Sequence, residues 1–221
     1  MTLLSVTVKC DMRRFLPLGS DPMSEKQLTV RERSRRAVQR EIAEVALGLF
    51  ADRGYDATTT EQIAAAVGMS QRTVYRYFAT KDEILLGKVD LVTGDMLDAL
   101  RARPADEPVW TSLRRTFDVF GVPHHPEYSA AIARLVFDSP TLLAAYLERL
   151  RRAQDAVITV LHERAEAAGA PYAPDDPTPR ALTTAAFGCL VAAHYSWLAS
   201  GAVTPFEQSV DRAIATLRPA T

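Results

Sequence analysis

The stretch Gln71-Arg72-Thr73-Val74-Tyr75-Arg76-Tyr77-Phe78 gathers two guanidinium groups, a carboxamide and three hydroxyls into eight residues. Wound as a helix at about 100° per residue with Val74 at 0°, it places Phe78 near 40° and Tyr77 near 300°. Arg72 and Arg76 then fall at about 160° and 200°, on the opposite side. Val74 and Phe78 face a core where Ile63, Val67 and Phe50 can meet them, and Gln71, Arg72, Thr73, Tyr75 and Arg76 are left outside. These groups suit nucleic acid: Arg fits guanine edges, Gln adenine edges, and Thr and Tyr hydroxyls reach phosphates. A solvated face would account for the two arginines. It would not place Tyr75, an aromatic of core size, beside them.

The elements that hold this segment are legible on both sides. Ser70 caps it, Gly68 ends the helix before it, and Thr59 with Gln62 forms a capping box that starts that earlier helix. Two short helices joined by a tight glycine-containing turn are a helix-turn-helix. Upstream, Ile42, Val45, Ala46, Leu49 and Phe50 recur at steps of three and four, which predicts an amphipathic helix closed by Gly54. Downstream, Thr80 and Glu83 suggest a second capping box. Lys81 opens the next helix there, where it can meet a DNA backbone.

On these residues the chain resembles the tetracycline-repressor (TetR) family of bacterial transcription regulators. The resembling parts are Ala57-Thr-Thr-Thr60 through Ile63-Ala64, Val67-Gly-Met-Ser70, Thr73-Val-Tyr75, Tyr77-Phe78 and Lys81-Asp-Glu-Ile84, within about residues 37–90. The resemblance implies that Thr59 and Thr60 touch phosphate at the start of the second helix. It implies that Gln71, Arg72 and Thr73 face bases, that Tyr75 and Tyr77 flank the groove, and that Lys81 holds a phosphate. Position 77 departs from the family, which often has His there. Arg76 lies where the family varies, so it should affect operator choice.

Bulk charge at first argues against nucleic acid, since 26 Lys and Arg face 27 Asp and Glu. Residues 26–81, however, hold ten basic and six acidic side chains, a local +4 against −5 for the rest. With 48% apolar and 24% charged residues the chain reads as globular. No run approaches the roughly 18–20 uninterrupted apolar residues of a membrane span, and the first residues lack the basic start of a signal peptide. Cys10 and Cys189 form no pairing pattern, so a reduced, cytoplasmic protein is expected. His124, His125, His162 and His194 are not spaced as metal ligands, and no metal or cofactor is expected.

The fold class expected is all-α. A three-helix helix-turn-helix DNA-binding domain (31–80) follows a flexible arm (1–30), in which Met23 is an alternative start. A helical-bundle ligand-binding and dimerisation domain (81–221) completes the chain. Helices are expected at about 33–53, 60–66, 71–77, 81–102, 108–121, 127–138, 141–168, 178–200 and 205–217. The resemblance implies a cavity for a small, largely apolar ligand, with Trp110, Phe117, Phe137, Tyr146, Phe187 and Tyr195 as candidate lining. It also implies a homodimer through the last two helices, aided by Ala181, Ala185, Ala186, Ala192 and Ala193 and by Leu190, Trp197, Phe206, Val210, Ile214 and Leu217. Two reading helices about 34–36 Å apart would engage a palindromic double-stranded operator. The function expected is repression relieved by a ligand. A constitutive DNA-binding or architectural protein is the alternative. An enzyme built on His194, Tyr195 and Cys189 is disfavoured, because neighbours on a helix diverge by about 100°.

Overall fold

A computed structural model describes residues 29–121 and 126–217; the arm, Cys10, His124 and His125 lie outside these. Every regular element described is helical: α1 (Val30–Arg53), α2 (Thr60–Ala66), α3 (Gln71–Tyr75), α4 (Lys81–Arg101), α5 (Val109–Thr116), α6 (Pro126–Asp138), α7 (Pro140–Ala167), α8 (Thr178–Ala199) and α9 (Phe206–Thr216).

Three boundaries differ from the sequence reading, each for a local reason. Helix α1 starts at Val30 rather than 33, because Thr29 and Glu32 form a complete capping box there. Helix α3 ends at Tyr75, after which the amides of Tyr77 and Phe78 both close onto the Val74 carbonyl in a tightened last turn. The helix expected over 108–121 is α5 followed by a 3-10 turn at Phe117–Gly121. At the start of α4 the Thr80 hydroxyl accepts from the Glu83 amide, but Glu83 reaches the Ala79 amide, so the expected box is shifted by one residue.

Ile42, Ala46 and Phe50 of α1 close over Ile63 of α2, Val74 and Phe78 at the end of α3, and Ile84 of α4, all buried. Each such aliphatic or aromatic side chain contributes about 1.5–3 kcal/mol by leaving water, enough to hold α2 and α3, which are too short to persist alone. Gly68, at φ +67°, makes the α2–α3 turn in the left-handed region that favours glycine. Helix α4 is the spine of the molecule, packing on α1 of the head and on α7 of the body. Gly87 brings it against the head: a Cβ there would stand 2.5 Å from Cε1 of Phe78.

In the body, Leu113, Phe117, Val157, Val160, Phe187 and Leu190 form the centre of the bundle. Ser139 caps α7 with Pro140 at its first position, and α6 meets α7 at a 104° bend. Helix α8 is long and apolar enough to cross a membrane by composition. Here it is the core helix of the body, flanked by α7 and α9.

Candidate nucleic-acid interface

The reading face forms as the helical wheel requires. Val74 is fully buried and Phe78 is 6% exposed, whereas Arg72, Arg76 and Tyr75 point outward, Tyr75 with 47% of its surface exposed. An aromatic ring left in water keeps apolar surface whose burial against a partner would be favourable. Neither Arg72 nor Arg76 has an ion-pair partner among the described residues. Gln71 and Thr73 are half-buried, and the Thr73 hydroxyl shares a 2.8 Å hydrogen bond with Ser70.

The remaining expected contacts divide. Thr59 is exposed, its hydroxyl accepting from the Gln62 amide while Gln62 accepts from the Thr59 amide. Thr60 is turned inward at 9% exposure, since it begins the buried stripe 60, 63, 64 and 67 at spacings of three and four. Its hydroxyl was expected on phosphate. The Lys81 ammonium, also expected there, is engaged inside the protein. It donates to the carbonyls of Tyr55 (2.8 Å) and Thr58 (3.2 Å) and lies 4.1 Å from the centroid of the Tyr55 ring. The Tyr55 hydroxyl in turn donates to Asp82, and burial together with that carboxylate raises the phenol above its ordinary range. Lys81 and Asp82 thus clasp the α1–α2 turn onto the start of α4, leaving one ammonium N–H for another acceptor.

Two groups of the interface were missed in the sequence. Thr58 is buried and donates to the Gly54 and Leu49 carbonyls, closing the end of α1. On α1, Arg35 donates to the Arg76 carbonyl at 3.3 Å and Gln39 to the Tyr77 carbonyl at 3.3 Å. The Arg35 guanidinium lies 5.2 Å from the Tyr77 ring centroid, which keeps Tyr77 half-buried. Their signal was the i, i+4 spacing of Arg35 and Gln39 one turn ahead of the apolar stripe that starts at Ile42, which aims them at the same neighbour.

In the body, the six candidate ligand-lining aromatics are divided between separate ring contacts. Phe117 and Phe187 are each 2% exposed and meet edge to face at 5.5 Å as core. Phe137, Tyr146 and Tyr195 form a second group around His194, which stacks on Phe137 at 5.1 Å. Tyr195 is 51% exposed, being about 80° around α8 from Phe187. Trp110 packs at the edge of the core, its buried indole N–H without a partner among the described residues. Burial pushes His194 down to about 4, against the pull of its bond to the Leu190 carbonyl. A groove of about 540 Å³ lies elsewhere, between α8 and α9, lined by small residues including Ala185, Gly188 and Ala192, with Arg212 and Leu217 at its side.

The apolar set expected at a dimer face is mostly used within the protomer. Leu190, Trp197, Val210 and Ile214 are buried there, and Ala186 and Ala193 face inward, leaving Ala185, Ala192 and Leu217 on the groove. The Trp197 indole closes the α8–α9 turn by donating to the Thr204 carbonyl at 2.7 Å. His194 and Tyr195 diverge as helical neighbours must. No group of three or more His, Cys, Asp or Glu that could hold a metal occurs among the described residues.

The head matches the family model described as bacterial regulatory proteins of the tetR family over residues 42–87. Residues 107–221, more than half the chain, match the MftR C-terminal domain. The chain is 34% identical over 143 residues to the HTH-type transcriptional regulator TcmR of Streptomyces glaucescens, covering 61% of this chain and 63% of that protein. It is 39% identical over 66 residues to the HTH-type transcriptional repressor KstR2 of Mycobacterium tuberculosis, covering 30% of this chain and 31% of that one. The matched stretches thus span less than two thirds of either relative. Among solved structures, FadR of Bacillus subtilis in complex with stearoyl-CoA superposes with a TM-score of 0.55 at 18% identity, over 82% of this chain and 98% of that one, a likeness of fold. With a helix-turn-helix built by α2 and α3 and family matches at both ends, the chain belongs to the TetR family of bacterial regulatory proteins.

Proposed function

We propose that the protein is a sequence-specific DNA-binding transcriptional regulator that acts as a homodimer, represses from a palindromic operator, and is released by a small apolar ligand. The observation that carries this reading is the outward face of α3, where Arg72, Tyr75 and Arg76 stand exposed over a floor of Val74 and Phe78. Arg72 and Gln71 read base edges at the start of the helix, with Thr73 and Arg76 beside them. Thr59, Tyr77, the amide end of α2 at Thr60, and the remaining N–H of Lys81 hold phosphates on either side.

The arm ends near residue 30, the reading domain runs to about 80, and the body from 81 onward binds ligand and partner. The outward groove of α8 and α9 is the face offered to a second copy. Its row of small side chains admits a close helix approach, and Leu217 adds exposed apolar surface. The ligand enters beside Phe137, Tyr146 and Tyr195 and displaces α4, to which the head is clasped through Lys81 and Gly87. The coupling can be no larger than the ligand's preference for the displaced state. The protein works in the cytoplasm, where its DNA lies.

Selection of bound duplexes from a random pool, followed by gel shift of the enriched sequence, tests the reading. A palindrome with half-sites one helical turn apart is expected, and failure to enrich any sequence overturns it. A constitutive regulator is the second reading, favoured by the close packing of Phe117 and Phe187 where a cavity was expected. Thermal melting against a panel that includes acyl-CoAs, the class held by the FadR neighbour, separates the two.

A further inference from the structure

Helix α1 begins twelve residues before the segment that matches the family's DNA-binding model, which starts at Ile42. These residues amount to about 18 Å of helix ahead of the matched segment. They are firmly started by the Thr29–Glu32 capping box. They also carry a row of exposed arginines, of which Arg31 and Arg35 lie on one face, one turn apart. Neither has a carboxylate partner among the described residues. Arg35 fixes where that face points, since it donates to the Arg76 carbonyl and covers the Tyr77 ring. The cationic line Arg72–Arg76 on α3 therefore continues across Tyr77 to Arg35, and about 6 Å further along α1 to Arg31.

We infer that the first three turns of α1 are a second DNA-contact element, in which Arg31 and Arg35 lie on the phosphate backbone beside the groove that α3 enters. This rests on the DNA-binding reading proposed above and extends it to a part of the chain that the family match leaves out. The occupant follows from charge and continuity. A duplex engaged by Arg72 and Arg76 carries its phosphates past the end of α3, and unpaired guanidinium groups at that end match them. The contact adds affinity without sequence preference, because it touches only phosphate.

The full-length protein is titrated into a labelled 40-base-pair duplex of random sequence, followed by fluorescence anisotropy from low to high salt. The slope of log affinity against log salt falls by about 0.9 for each phosphate that is no longer neutralised. The double variant Arg31→Gln/Arg35→Gln is expected to be shallower than wild type by about two for each head bound. Arg31→Gln alone should give about half of that, and Arg35→Lys, which keeps the charge, should keep most of the slope. Arg31 makes no hydrogen bond or ion pair among the described residues, so its single variant decides the matter if the double variant is unstable. A wild-type slope in the Arg31→Gln and double variants overturns the inference and leaves the DNA-binding reading intact. Absence of any wild-type binding to duplexes overturns both.

Discussion

The arginines of the head and those of the body live in opposite circumstances. In the body, Arg101, Arg103, Arg114, Arg149, Arg151 and Arg180 each meet a carboxylate, and Arg164 spans the carbonyls of Leu100, Arg103 and Pro104 at the end of α4. In the head, Arg31, Arg35, Arg36, Arg53, Arg72 and Arg76 are exposed and have no such partner among the described residues; Arg40, bound to Asp95 of α4, marks the seam. The same side chain is mostly paired with carboxylates in one half and mostly without them in the other. On the DNA-binding reading proposed above, pairing in the body neutralises charge away from the duplex, and the unpaired set concentrates attraction on one end of the molecule.

This contrast can be broken most decisively at Arg164. Truncation to Ala strips three carbonyls at the end of α4 of a charged donor and should lower unfolding free energy by about 2–3 kcal/mol. Denaturant unfolding measures it, and DNA affinity per folded molecule should hold. The converse is Arg72→Ala, which should leave the melting temperature unchanged and cost about 1–3 kcal/mol on the selected operator, relaxing preference at one base pair. A stability loss at Arg72, or a DNA defect at Arg164, would dissolve the distinction.

Lys81→Ala tests the seam itself. The clasp on the Tyr55 and Thr58 carbonyls predicts a loss of about 1–2 kcal/mol in stability, with a weakening of DNA binding that is alike for all sequences. Weakened DNA binding with stability intact would leave the phosphate contact and remove the clasp.

A fourth measurement concerns pH. His194 is neutral in the folded body down to about 4, whereas an unfolded histidine protonates near 6.5. Protons are then taken up by the unfolded chain only, so its contribution to stability is complete above about 6.5. It is lost as pH falls toward 4, at up to about 1.4 kcal/mol per pH unit. His194→Gln should flatten that limb in acid unfolding curves. The smallest effect belongs to the solvent-exposed pairs of Arg151 with Glu148 and Asp155: Arg151→Ala should leave the denaturant midpoint essentially where it is.

Most of the head was legible because its signals are local. Ser70, Gly68 and the Thr59–Gln62 box fix α2 and α3 within a few residues, and a wheel sorts Val74 from Arg72 without tertiary knowledge. The start of α1 was missed although Thr29 and Glu32 had the right spacing, because no apolar periodicity follows them until Ile42. The internal contacts of Lys81 were missed for another reason. Whether an ammonium faces solvent or a neighbouring turn depends on Tyr55, 26 residues away, and no local pattern reports that. The body's helices were foreseen, yet its aromatics were not sorted. Phe187 and Tyr195 look alike along the chain, and only the packing of α8 against its neighbours sends one inward and the other out.

The close approach at Gly87 has a mechanical consequence. Between most packed helices, side chains give by changing rotamer, and small displacements are absorbed within the interface. Here the Phe78 ring rests on bare backbone, with no methyl group on the α4 side to give way. Push α4 toward the head by a few tenths of an ångström and the ring must follow, carrying the end of α3 with it. The joint works as a pushrod without a spring, and its stiffness comes from an atom that glycine does not have.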